Sequence, residues 1–321
     1  MNLNIWLAEK NEVFSRFLQY VEMSVAPLLA QGIHPGFTDH TIGHSKRVIE
    51  YLGDLIEQGE INPPISAEEV CVLIAAAYTH DIGMQDRRKH KLEEIRERHH
   101  ILSGDIDREV GRTTSNQDLH FGYVPFDGFW SMTAVVAEGH RKVDLWSPEY
   151  ESVPASRQTI RLRLLAALIR LADELDVDQR RAPMLMTDLQ NYPPETLIHW
   201  FKSHYVSGIE IKNMQINLCY MFPVGKGEEY SRIFDRIVGE KIRESLEELQ
   251  PILRESGIGV QMGKPTFREW EDIRDLTSDV RELAIREAHK AAETNREYQR
   301  ATDDMVYLEK MSPDLAKSSN G

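Results

Sequence analysis

Two stretches of the sequence leave a folding chain little choice. Residues 70–78 read VCVLIAAAY and residues 164–172 read LLAALIRLA. Both fall well short of the roughly 20 residues needed to cross a bilayer. Neither has the polar face that a helix lying on a protein surface keeps toward water. Each must therefore be enclosed on nearly all sides, and other helices are the natural enclosure. Each run also ends in acid, at His80-Asp81 and at Asp173. A carboxylate carried into an apolar core is costly unless it is paired or bound to metal. The plainer reading makes Asp81 a polar stop at a helix end and leaves Asp173 capping, or pairing with Arg170 or Arg180.

The rest of the chain supplies the enclosing elements. Phe14, Phe17, Leu18, Val21, Val25 and Leu28 fall at helical spacing, so one amphipathic helix is expected over residues 3–30. Asp39 or Thr41 can cap a second, through Ile42, Val48, Ile49, Leu52 and Leu55. Ser66 followed by Glu69 is a capping-box signature ahead of the run at 70–81. Residues 84–100 read as a charged helix and 104–130 as an irregular excursion; helical pattern returns at 129–140 and 157–176. After Pro183 the character changes. A β-hairpin is expected at 208–223 with its turn at Lys212-Asn213, then a helix at 227–256 and a short strand near 258–262. From 268 to 310 the chain is charged and helical in propensity, and DLAKSSNG at the end reads as disordered. The expected fold class is mainly α: a helical bundle over 1–185, a small α+β region over 186–265, and a charged helical tail over 266–321.

Composition narrows the function classes. Hydrophobic residues make up 41% of the chain, enough for a sizeable core. The formal net charge of -14 argues against a protein that coats nucleic acid, leaving nucleic acid only as a short substrate. It does not exclude a local basic pocket for phosphate. The two cysteines, Cys71 and Cys219, form no CxxC pair and no disulfide framework, so a reducing cytoplasm is the expected setting. No membrane span and no signal-peptide pattern are visible.

Five separated segments offer metal-ligating side chains beside predicted helices: TIGHSKRV with His44, YTHDIG with His80 and Asp81, RHHILSG with His99 and His100, EGHRK with His140, and LIRLADELD with Asp173. Imidazole and carboxylate donors without thiolate suit Fe, Mn, Ni, Co or Zn. A lone histidine beside an apolar helix is more often a core or surface residue. Read in order, however, His44, THDIG and LADELD resemble the motifs of the HD phosphohydrolase superfamily over roughly residues 35–180.

That resemblance implies an HD-type helical bundle in which His44, His80, Asp81 and Asp173 hold a first divalent transition metal. The binuclear branches of the family add two histidines. His100, four residues before Gly104, fits the first of them, with His99 supporting from outside the ligand set; His140 fits the second. Asp81 would then bridge two ions and hold a hydroxide between them, and His140 would assist proton transfer. The implied activity is hydrolysis of a phosphate ester or anhydride in a nucleotide or oligonucleotide-type substrate. Two departures argue against the HD-GYP cyclic dinucleotide phosphodiesterases: Met84 stands where they carry a lysine, and HFGYVP at 120–125 only echoes their signature. A triphosphohydrolase acting on deoxynucleotides would fit only if His100 and His140 held no metal.

The substrate-facing groups are candidates by chemistry alone. Arg141 and Lys142 follow His140, Arg180 and Arg181 follow the Asp173 helix, and His40 lies four residues before His44. Guanidinium groups suit bidentate phosphate binding; solvated surface charge is the alternative for each. Tyr123, Trp130 and Trp146 could stack on a base or belong to the core. RLADELDVDQRRAP with HWFKSHYVSGIEI also resembles an HD group tied to prokaryotic conflict systems and chaperone-type ATPase modules. That second resemblance keeps a non-catalytic, nucleotide-sensing module as the alternative, with a protein partner or a second copy docking through the C-terminal helices.

Overall fold

A computed structural model of the chain describes residues 1–31, 38–86, 92–115, 124–155, 158–182 and 192–293. Helix α4 (Ala67–Thr79) contains the first apolar run. Its capping box is formed: Glu69 N donates to Ser66 Oγ at 3.1 Å, and Ser66 N donates to the Glu69 carboxylate at 3.0 Å. Every residue from Glu69 to Thr79 is buried. The second run forms α7 (Leu162–Leu175), of which only Arg163, Asp173 and Glu174 keep appreciable exposure. Around these two buried rods stand α1 (Leu3–Lys10), α2 (Glu12–Leu29), α3 (Ile42–Gln58) and α6 (Phe129–Glu138), which pack on one another through a single apolar core. Phe17 of α2 meets Phe129 of α6 edge to face at 5.2 Å. The fold is mainly α-helical, with a small sheet region in its C-terminal half.

Three N-terminal expectations change. The helix expected over 3–30 is two helices, because the Asn11 side chain accepts from Phe14 N at 3.1 Å and starts a new one; Leu28 is exposed and Leu29 takes the core position. Helix α5 (Leu92–Ser115) runs on into the first twelve residues of the segment that reads as irregular. Ile106 and Val110 pack against the core, and that tertiary contact overrides the Gly- and Asp-rich composition. Residues 158–160, which read as helical, instead form strand β2 (Gln158–Ile160), paired antiparallel with β1 (Val153–Ala155). The following Arg161 is gripped by Glu69, its N and Nε donating to Oε1 at 3.1 and 2.7 Å, so α7 starts at Leu162. Tyr123 and most of the HFGYVP stretch lie outside the described residues.

Beyond α7, helix α8 (Pro194–His204) leads into the antiparallel pair β3 (Val206–Lys212) and β4 (Gln215–Pro223). The turn falls on Asn213 and Met214, both with positive φ (51° and 59°), one residue later than expected. That conformation matches the right-handed twist of a two-residue hairpin. Helix α9 (Gly227–Phe234) continues through a π-helical turn (Asp235–Gly239) into α10 (Glu240–Glu255). Strands β5 (Gln261–Met262) and β6 (Thr266–Trp270) pair parallel with β4. The sheet therefore extends past residue 265, and the last described helix, α11 at 278–293, begins later than the charged pattern suggests. Helix α10 packs on α7, so the C-terminal half shares the core of the bundle. The terminal DLAKSSNG stretch lies outside the described residues. Among the described residues no helix is long and apolar enough to cross a membrane.

Candidate metal centre

Asp81 leaves α4 at φ -104°, ψ 2°, a sparsely populated backbone region common at active sites. The bend leads into a 3₁₀ turn (Ile82–Gln85) and turns the carboxyl group back into the bundle. It is held from α5. Ser103 Oγ accepts from Gly83 N at 2.8 Å and donates to the His80 carbonyl at 2.6 Å. Gly83 is required here, because an added Cβ would stand 2.1 Å from the His99 carbonyl oxygen.

The two oxygens of Asp81 face different partners. Oδ2 lies 3.5 Å from both His44 Nε2 and His80 Nε2. Oδ1 lies 3.5 Å from His99 Nε2 and 3.9 Å from His140 Nε2. Asp173 completes the first group, its Oδ1 being 3.1 Å from His44 Nε2 and 3.8 Å from His80 Nε2. Within each group two imidazole nitrogens face each other at 3.1 Å, His44 with His80 and His99 with His140. His44, His80 and Asp173 thus form one set with ligand spacing, and Asp81, His99 and His140 a second; His40 also stands at ligand spacing with His44 and Asp81.

Hydrogen bonds behind the rings fix which nitrogen points inward. His80 Nδ1 donates to Ala77 O at 2.9 Å and His140 Nδ1 to Ala137 O at 2.6 Å. His44 Nδ1 donates to Asp176 Oδ2 at 2.5 Å. Asp176 is fully buried and also accepts from Arg47 Nε at 2.7 Å. A ring whose Nδ1–H is committed presents the Nε2 lone pair, the form a metal takes. Arg47, which reads as a helix-face salt-bridge partner, thus braces the group that orients His44.

The buried carboxylates favour positive charge among the imidazoles. Burial alone would raise the Asp81 pKa, yet His80, His40 and His99 hold it well below the ordinary carboxylate range. Asp173 is likewise held low against its burial by His44 and His80. Burial disfavours a charged His80, but Asp81 and Asp173 raise its pKa to about 9. Across the site, burial and the neighbouring His80 push His140 well below its ordinary value. Imidazole and carboxylate donors at this spacing could hold metal ions.

The structure brings His44, His80, Asp81, His140 and Asp173 together and places the other sequence candidates differently. His99 occupies the position expected of His100. His99 and Ser103, four residues apart on α5, share the face turned to Asp81 and Gly83, whereas Gly104 packs against Glu138. The His100 ring stands 6.3 Å from that of His140, outside both sets. Burial, then His99 and Arg141, lower its pKa to about 4. A proton-transfer role for His140 also loses its footing: Nδ1 is committed to Ala137 O and Nε2 faces His99 and Asp81, so no ring nitrogen is left for substrate.

A cavity of about 600 Å³ opens beside the cluster, with His40, His99 and Asp176 on its inner side. His40 Nδ1 lies 2.9 Å from Asp81 Oδ2. Arg181 lines the same wall, donating Nη1 to Asp176 O at 2.8 Å and reaching His40 with Nη2 at 3.3 Å. Arg141 lines it as well, but Lys142 is exposed and off the wall. Arg180 is spent on structure. Its guanidinium bonds Asp178, Glu50 and the Tyr51 hydroxyl, so a phosphate-binding role for it is dropped. Trp130 is core and Trp146 lies under Arg163, and neither lines the cavity.

Two features escape a reading of the sequence. Asp176 belongs to LADELDVD, three residues after Asp173, but its role arises from contact with His44, 132 residues away. The outer wall of the cavity comes from α8, the π-turn and α10; its His199, Lys202 and Ser203 fall in the HWFKSHYVSGIEI stretch, whose pattern does not mark them as a pocket wall.

A family model described as HD-CE matches residues 34–255. No curated protein matches the chain.

Proposed function

Because the chain belongs to the HD-CE family, an HD-type domain with His/Asp groups suited to metal, we propose that it is a metal-dependent phosphohydrolase. Its substrate in this reading is a nucleotide-type phosphate ester or anhydride. The observation that carries the reading is Asp81, whose two oxygens each face a separate pair of imidazole Nε2 atoms. We assign His44, His80, Asp81 and Asp173 to one ion and Asp81, His99 and His140 to the other. Bound divalent ions supply Lewis acidity and an activated water at neutral pH.

The protein's own residues do the rest. Asp81 fixes the spacing of the two sets. Asp176, Ala77 O and Ala137 O lock the rings in the tautomer that presents Nε2. Arg141 and Arg181, on the cavity wall, bind phosphoryl oxygens as fixed cations. His40, touching both Asp81 and Arg181 on the cavity wall, helps position the phosphoryl group.

The test is full-length protein purified without oxygen, assayed for metal content, then screened with Mn, Fe, Co, Ni and Zn against phosphate mono- and diesters. Two ions per chain and turnover with at least one metal are expected. Asp81→Ala should lose metal and drop turnover by roughly a hundredfold or more, the scale of one electrostatic stabiliser. Wild-type protein that holds both ions and turns over none of these substrates would leave a sensing module in place of an enzyme.

A further inference from the structure

The cavity has a second wall with no part in the chemistry at the His/Asp cluster. It is built by α8 and by the π-turn and first turn of α10, from Lys202, His199, Ile237, Val238, Lys241 and Ile242. Three observations set it apart. First, in a chain of net charge -14, four cations line the cavity, Arg141 and Arg181 on the wall beside the cluster and Lys202 and Lys241 on the outer wall. Second, the π-helical turn Asp235–Gly239 inserts its irregular register at this wall and contributes Ile237 and Val238 to it. Such turns are rare and concentrate at functional sites. Third, the acids on the lining are largely committed: Asp176 holds His44 and Arg47, and Glu174 pairs with Lys241 at 2.8 Å. Glu195 remains as an acceptor for hydroxyl groups.

We infer that this wall binds the part of the substrate that is not cleaved, and that this part carries a second phosphate. The inference rests on the phosphohydrolase reading above. The ligand class is a nucleotide with two separated phosphates, one at the His/Asp cluster and the other between Lys202 and Lys241. Ile237 and Val238, which show only their edges to the cavity, floor the space left for the base, and Glu195 accepts from ribose. A volume of about 600 Å³ lies within the usual range for a site of this size. Lys202 and Lys241 now pair with Glu287 and Glu174. Lys241 is 61% exposed, so its ammonium can turn from Glu174 to a phosphate; Lys202, 21% exposed, would exchange Glu287 for phosphate within the half-buried wall.

The experiment compares full-length metal-loaded protein with a Lys202→Ala/Lys241→Ala double variant. Calorimetry gives Kd for adenosine 3′,5′-bisphosphate, adenosine 5′-monophosphate and pyrophosphate, and p-nitrophenyl phosphate reports the cluster alone. Wild type should bind the bisphosphate at least about tenfold more tightly than the monophosphate, the scale of one charge-assisted contact. The double variant should erase that preference and leave p-nitrophenyl phosphate turnover unchanged. Pyrophosphate should bind more weakly than the bisphosphate. Equal wild-type affinity for bisphosphate and monophosphate, or a preference that survives in the double variant, overturns the inference. So does pyrophosphate binding as tightly as the bisphosphate. If wild type fails to turn over p-nitrophenyl phosphate with every metal, the hydrolase reading fails, and the calorimetric comparison still decides whether the wall binds a bisphosphate.

Discussion

Successive residues of an α-helix point about 100° apart, so His99 and His100 cannot both face Asp81. The face is chosen by Ser103. Its hydroxyl clamps Gly83 and the His80 carbonyl, and His99 lies one turn before it. His99→Ala should therefore leave about one ion per chain, while His100→Ala should retain both; elemental analysis of the two variants reads this directly. Equal metal content in the two would remove His99 from the ligand set. The sequence shows His44, His80, Asp81, His140 and Asp173 because each sits in a distinctive local context. It does not separate two adjacent histidines, because the choice depends on contacts between α5 and the turn after α4. Asp176 is hidden for the same reason, since only the fold brings it to His44 and Arg47.

At the scale of elements, α5 is the part whose local composition misleads most. Gly104, Asp105, Asp107 and Gly111 read as loop, yet the helix persists because it packs along α6 and the 3₁₀ turn. Asp107 is 1% exposed, and Thr79 Oγ1 lies 2.9 Å from its Oδ2 and 3.2 Å from Ala75 O. The Thr79 hydroxyl donating to Asp107 favours the charged carboxylate, but burial outweighs it. Burial accordingly raises its pKa to about 8. In the unfolded chain it titrates near the ordinary value of about 3.9. Between those values the folded state holds one more proton than the unfolded state, so stability from this group is full at low pH and falls as pH rises. Asp107→Asn cannot titrate. The difference in Tm between Asp107→Asn and wild type should grow in the variant's favour from pH 5 to pH 8. A constant difference across that range would place the Asp107 pKa near that of an exposed carboxyl.

At the scale of the whole molecule, the change of character after Pro183 suggests a domain boundary, and the packing joins what the sequence divides. Patterning sees α7 as apolar on almost every side but cannot see what covers it. Part of the cover is α10, whose Ile242, Leu246, Leu249 and Leu253 lie buried in the same core. Arg170, 2% exposed, ties the halves: Nε donates to Gly139 O, Nη2 to Val143 O and Nη1 to Glu248 on α10, at 2.8–2.9 Å. Burying an aliphatic side chain is worth about 1.5–3 kcal/mol. Four of them therefore contribute roughly 6–12 kcal/mol, comparable with the entire net stability of about 5–15 kcal/mol typical of a folded domain. A fragment of residues 1–182, which keeps every residue assigned to the two ions, should then lack a cooperative thermal transition and bind a hydrophobic dye, whereas the full chain melts in one step. The halves would be thermodynamically separate if the fragment melted cooperatively near the Tm of the full chain. In that case the outer wall of the cavity would be an added module rather than part of the fold that holds the His/Asp cluster.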